Sequence, residues 1–341
     1  MSPNHLLKTH LFIEISKGTT NMSTIGHLKK IAIVGATGHL GRYFVEELLK
    51  TGQHTITALT RGGSGNKLPA DVNIVEVDYS SEESLVAALQ GQEFLAIVLS
   101  SMAPPETHSL IVKAAGKAGV SYIMPTTYGA DITNENFVRD ELYHQGALAK
   151  VKEIESLGLS HITMCCGFWY EWSLALGENA FGIDIKSKKA ILFDNGTTKL
   201  SVSTFRQCGR AFAALLSLPE SGATLSLSDF KNKPFRFNSF RVSQRDMLDS
   251  VQRAQGTTDK DWDIQSEPSS KRVADGFADM RKGNRLGFVK AMYSRAFYPS
   301  ADADYEERHS ISNEILGLPR ENLDEITGGL VKGLEDGTFS L

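Results

Sequence analysis

Short apolar runs alternate with helical stretches through the first half of the chain. Ile31-Ala32-Ile33-Val34 is wholly apolar and ends at a glycine, the pattern of a strand buried on both faces of a parallel sheet. Leu40, Phe44, Val45, Leu48 and Leu49 then recur at helical spacing, and Thr51-Gly52 supplies a left-handed stop. The same periodicities predict strands over 54–59, 72–77, 94–99, 120–124 and 159–165, and helices over 82–89, 106–118 and 142–157. Parallel neighbours cannot be joined by hairpins, so this alternation requires right-handed helical crossovers. The predicted fold class is therefore α/β, a Rossmann-type doubly wound parallel sheet with a smaller mixed C-terminal lobe.

Beyond Trp172 the rhythm breaks. Asn195-Gly196 is a turn signal, a helix is expected near 208–216, a strand over 235–242, and a capped helix from Ser243 through Val251. These patterns divide the chain into an N-terminal extension (1–28), a dinucleotide-binding domain (29–172) and a smaller substrate lobe (173–341), with the segment near 200–218 packing back on the first domain. Residues 1–21 read as a dispensable extension or a misplaced start, because a short polar lead from Met22 runs straight into the first strand.

Composition narrows the function. Apolar residues make up 41% and charged residues 22%, with a formal charge of −4 and no block of Lys or Arg to track a row of phosphates. Nucleic acid is not an expected partner. No run of 18 apolar residues could span a membrane, and no long apolar core with a cleavage site marks a signal peptide, so a soluble cytoplasmic protein is expected. The three cysteines, Cys165, Cys166 and Cys208, suit neither a disulfide framework nor a zinc site. His144 and His161 stand alone, and no metal is expected.

Gly35-Ala36-Thr37-Gly38-His39-Leu40-Gly41 lies between the first strand and the first helix. There a diphosphate meets free backbone N–H groups and the positive end of a helix dipole. Gly35 allows the sharp turn, Gly38 lets the backbone approach the phosphate, and Gly41 lets the helix pack on the strand. The strand before, the helix after and the continuing alternation supply the context that a dinucleotide site requires. After the second strand, where a carboxylate would meet the ribose of NAD, the chain has Arg61 followed by Lys67, with no acid close in sequence. A guanidinium suits a 2′-phosphate, so NADPH is the expected cofactor.

This set, together with Pro125-Thr126-Thr127-Tyr128-Gly129 and Cys166-Gly167-Phe168-Trp169, resembles the NmrA-like family of atypical short-chain dehydrogenases, in its isoflavone reductase-like branch. The resemblance implies that NADPH is held by residues 35–41, by Arg61 and Lys67, by main chain at Leu99, Ser100 and Ser101, and by Gly167 and Phe168. It also implies an essential lysine in the helix after Tyr128-Gly129. Ungapped counting puts that position at Ala147, and the nearest candidate, one turn on, is Lys150.

Lys150 is thus the candidate catalytic group, supplying a proton or positive charge to the acceptor and reaching the nicotinamide ribose; Tyr128 is a second, as donor to substrate or as an aromatic under the cofactor. The aromatic cluster Trp169, Tyr170 and Trp172 at a strand end is the expected wall for a small-molecule substrate. Three functions remain open. One is an NADPH-dependent reductase acting on a C=C or C=O group of a small aromatic or polyketide-like secondary metabolite. The second is an NADP(H)-sensing regulator acting through a protein partner. The third is a non-redox isomerase or cyclase on the same fold.

Overall fold

The computed structural model describes residues 26–62, 68–100 and 103–340. Its large sheet is parallel, in the order β3-β2-β1-β4-β5, from β1 (Lys30–Val34), β2 (Thr55–Arg61), β3 (Val72–Val77), β4 (Phe94–Ile97) and β5 (Tyr122–Met124). Helices α1 (Gly41–Thr51), α2 (Glu82–Leu89) and α3 (Pro105–Ala118) make the crossovers. Gly52 and Gly119, both left-handed, end α1 and α3. A short α4 (Glu135–Asp140), which the hydrophobic pattern does not predict, leads into α5 (Leu142–Ser156). Strand β6 (Ile162–Cys165) continues the sheet beside β5 through a parallel bridge between Ile123 and His161. The chain order reverses between β1 and β4, the switch point where open α/β sheets bind ligands.

The second lobe begins with β7 (Phe168–Trp169) and α6 (Tyr170–Ala175). It has two small sheets. One pairs β7, β10 (Lys199–Ser203) and β12 (Phe240–Ser243); the other pairs β8 (Ile183–Asp184), β9 (Lys189–Phe193) and β13 (Asp263–Glu267). Helices α8 (Gln244–Gln255), α9 (Ser269–Arg281), α10 (Leu286–Ala296), α11 (Tyr305–Arg308) and α12 (Leu323–Asp336) complete it. The core of this lobe gathers Tyr170, Phe181, Phe193, Phe240 and Phe297.

The chain crosses back twice. Helix α7 (Phe205–Leu216) lies on α1, with Phe212 stacked on Phe44 at 4.2 Å, and β11 (Lys233–Arg236) pairs in parallel with β6. The single strand expected over 235–242 is thus two strands in different sheets. Main-chain bonds from Phe237 to Cys165 O and from Ser239 to Val202 O hand the chain from one sheet to the other. Leu28, assigned to the extension, is 4% exposed and packs in the first core. Residues 1–25, Lys67 and Ser101 lie outside the described residues.

Candidate active site

The glycine turn follows β1 at the carboxyl edge of the sheet. Gly35 has φ 79°, and a Cβ there would meet Val98 O at 2.0 Å, so only glycine lets the end of β4 lie this close. A Cβ on Gly41 would meet Gly35 O at 2.1 Å, which fixes how tightly α1 starts on the turn. At Gly38 the nearest atom is Gly35 O at 3.3 Å, and Thr37, Gly38 and His39 are exposed. Ala36 and Leu40 are buried beneath them. Helix α1 begins with no side-chain cap and no acid in its first turn. The cradle fits a diphosphate: the protein closes it from below and leaves it open above.

At the adenosine end, Arg61 closes β2, is exposed, and makes no ion pair or hydrogen bond among the described residues. The sheet does bring an acid near. Glu76, on β3 opposite Thr60, would lie 3.4 Å from a Cβ at Gly62. The absence of a nearby acid holds in sequence and not in space.

At the other end, Thr126 Oγ1 donates to Ile97 O at 2.7 Å and accepts from Leu99 N at 3.4 Å, fixing the strand end that leads to Leu99 and Ser100. Gly129 (φ 103°) and Gly167 (φ 64°) bring the loops after β5 and β6 together, and a Cβ on Gly167 would meet Ser201 O at 2.0 Å. Around this junction the buried polar atoms Thr127 Oγ1, Tyr128 Oη and Trp169 Nε1 have no partner among the described residues. Unsatisfied buried polar groups are uncommon, and three on the loop after β5 and on β7 fit a ligand site.

The aromatic residues divide. Trp172 lies 4.8 Å from His39 of the turn, and Trp169 packs 5.2 Å from Phe205. Phe168 stacks on Tyr293 of α10 at 4.2 Å. Tyr170, expected on the pocket wall, is instead fully buried in the second lobe, with its hydroxyl 2.7 Å from Thr327 Oγ1. The reason is local: α6 begins at Tyr170, so the strand alternation that would expose it has ended. Tyr128 is 6% exposed and packs edge-on against Phe44, and burial raises its hydroxyl well above the usual tyrosine range. It sits under the cleft rather than open to it.

Lys150 is half-buried, and burial lowers its ammonium from the usual range. It leans toward α3, where its charge and, more strongly, burial push His108 down to about 4. Ala147, at the position the resemblance gives to lysine, is 1% exposed on the inner face of α5. Two groups escaped the sequence reading. Glu171 is pushed up to about 7, chiefly by burial and further by Glu321, while Phe205 N donates to it at 3.3 Å. Glu141 caps α5 and accepts from the Nδ1 of His144; their spacing of three at a helix start was the legible signal.

Fold and cleft define an α/β dinucleotide-binding protein with a second lobe over the carboxyl edge of its sheet. Residues 27–201 match the NmrA-like family, and the chain belongs to that family. It is similar to "Oxidoreductase aprR" of Aspergillus flavus, at 28% identity over 89% of this chain and 99% of that one. Its fold is that of an Escherichia coli NADPH-dependent quinone oxidoreductase complexed with NADPH (TM-score 0.64, 22% identity, 88% and 99% covered). It also resembles a structure described as AtPrR2 with NADP+ and (+)pinoresinol (TM-score 0.70, 15% identity, 90% and 100% covered). Among the described residues no helix is long and apolar enough to cross a membrane.

Proposed function

We propose that this protein is an NADPH-dependent oxidoreductase that reduces a C=C or C=O group of a small aromatic molecule. The observation that carries the reading is the turn at 35–41, where two glycines admit no Cβ, the third is exposed and has only Gly35 O, at 3.3 Å, close to where a Cβ would stand, and α1 has no side-chain cap. NADPH supplies the hydride. Residues 35–41 hold its diphosphate, exposed Arg61 recognises the 2′-phosphate, and main chain at Leu99 and Ser100, with Gly167 and Phe168, borders the nicotinamide end. The similarity to oxidoreductases and to structures solved with NADPH or NADP+ supports this reading.

Aromatic substrate is supported by the apolar rim. Phe168, Trp169 and Trp172 are partly exposed there, Phe168 backed by the buried ring of Tyr293 and Trp172 turned toward His39. Planar apolar ligands gain both burial and ring contacts in such a cleft. The test uses NADPH carrying deuterium at the transferable position, with benzalacetone and 2-methyl-1,4-naphthoquinone as acceptors. NADPH oxidation with either, and deuterium on carbon in reduced benzalacetone, is the expected result. NADPH bound tightly but never oxidised would favour a second reading, an NADP(H)-sensing regulator, which the buried Ala147 at the lysine position supports.

A further inference from the structure

Hydride transfer to a carbonyl leaves negative charge on oxygen, and a proton must follow. The residue at the lysine position, Ala147, has none to give. Helix α5 starts at the carboxyl edge of the sheet, and there the Tyr143 hydroxyl donates to the Tyr128 carbonyl, tying the first turn to the loop that borders the cleft. His144 is the next residue. It stands one turn before Ala147 on the inner face that His144, Ala147, Val151 and Ile154 share.

Glu141 orients this imidazole. Its carboxylate, 4% exposed, accepts from Tyr143 N and His144 N at 3.0 Å each and contacts His144 Nδ1. Phe137 stacks on the ring at 4.5 Å and Tyr143 meets it edge-on at 5.8 Å, which leaves little room to rotate. Nε2 has no partner among the described residues and is not sealed from solvent; the side chain keeps 11% exposure. Arg295, over the other ring of that stack, Phe137, is neutralised by Asp140 and Asp302. A carboxylate on Nδ1 fixes the tautomer and stabilises an imidazolium, leaving Nε2 as the working atom.

We infer that His144, oriented by Glu141, is the proton donor of the reduction, in the place of the family lysine. The inference rests on the proposed oxidoreductase reading. The acceptor carbon gains the hydride, the C=O electron pair moves to oxygen, and the Nε2 proton of the imidazolium joins that oxygen. Solvent then returns a proton to the ring. His144 is the catalytic residue, and Glu141 is a positioning residue.

The test compares wild type with His144→Gln, Glu141→Gln and Lys150→Ala, using NADPH and whichever of the two acceptors is reduced. His144→Gln should lower kcat about 10²-fold or more, within the usual worth of a positioned acid, with NADPH affinity unchanged within about twofold. Glu141→Gln should lose less, lowering kcat while KM for the acceptor stays within about twofold, since the ring keeps its place but loses its carboxylate orienter. Turnover that survives His144→Gln but not Lys150→Ala overturns the proposal. An independent readout is NMR of histidine-labelled protein, with the His144 ring signals assigned by their loss in His144→Gln. They should shift when NADP+ and benzalacetone bind, and unmoved signals overturn the proposal even if the wild type reduces neither acceptor. That inactivity, by itself, strikes the oxidoreductase reading.

Discussion

Single side chains and single missing side chains set the chemistry of the cleft. Gly35→Ala places a methyl into Val98 O and a β-carbon at φ 79°, so it should destabilise the fold and lower NADPH affinity together. Arg61→Glu acts differently. It leaves the fold intact and should abolish the preference for NADPH over NADH, read from the two dissociation constants, because a carboxylate repels the 2′-phosphate and suits a ribose hydroxyl. Glu171 predicts a pH dependence. Burial raises its folded-state value from 4.5 to about 7, so between those values the folded state holds a proton that the unfolded state has released. Stability contributed by the neutral acid is present below about pH 4.5 and is lost as pH rises to about 7. The melting temperature of the wild type should therefore fall over that window relative to Glu171→Gln, and parallel pH profiles would contradict the assignment. At this scale the turn glycines and the exposed place of Arg61 at the end of the second strand were legible, because turn sterics and strand ends are local. Glu76 beside Gly62 and Glu321 beside Glu171 were not, because both contacts bridge separate segments of the chain.

Elements position these residues through their ends and crossings. Helix α8 shows how much local sequence can specify: Ser243 and Asp246 form a reciprocal capping box and left-handed Gly256 ends the helix. Ser243→Ala should cost about 1 kcal/mol, measured by denaturant unfolding. The α9–α10 hairpin, which carries Tyr293 to Phe168, depends on backbone proximity. A Cβ on Gly287 would meet Gly276 O at 2.5 Å, and one on Gly276 would meet Gly287 O at 2.7 Å. Gly287→Ala should cost about 1–3 kcal/mol and loosen the rim, raising KM for the aromatic acceptor more than it changes NADPH affinity. Strands and helices of the first half were readable because each carries its own period. The break between β11 and β12 was not, since Phe235, Phe237, Phe240 and Val242 are all buried and only their partners, β6 and β10, separate them.

The whole molecule closes a cleft that neither lobe owns. The sheet supplies the turn and the ends of β4, β5 and β6; the second lobe supplies Trp172 against His39 and Tyr293 against Phe168. The returns of α7 and β11 bind the lobes into one body, for Phe205 touches both His39 and Trp169. Alternation predicted the sheet, whereas the interleaving depends on contacts between distant segments, such as Phe44 with Phe212 and β6 with β11, which no short window of sequence displays. Trp172 beside the turn also offers a direct readout. Its fluorescence should be quenched as the cofactor binds, and titration of the purified protein with NADPH and NADH tests the central claim most directly. Saturable quenching at least tenfold tighter for NADPH, with the difference erased in Arg61→Glu, is the result the account predicts; equal affinities, or no quenching by either, would contradict it.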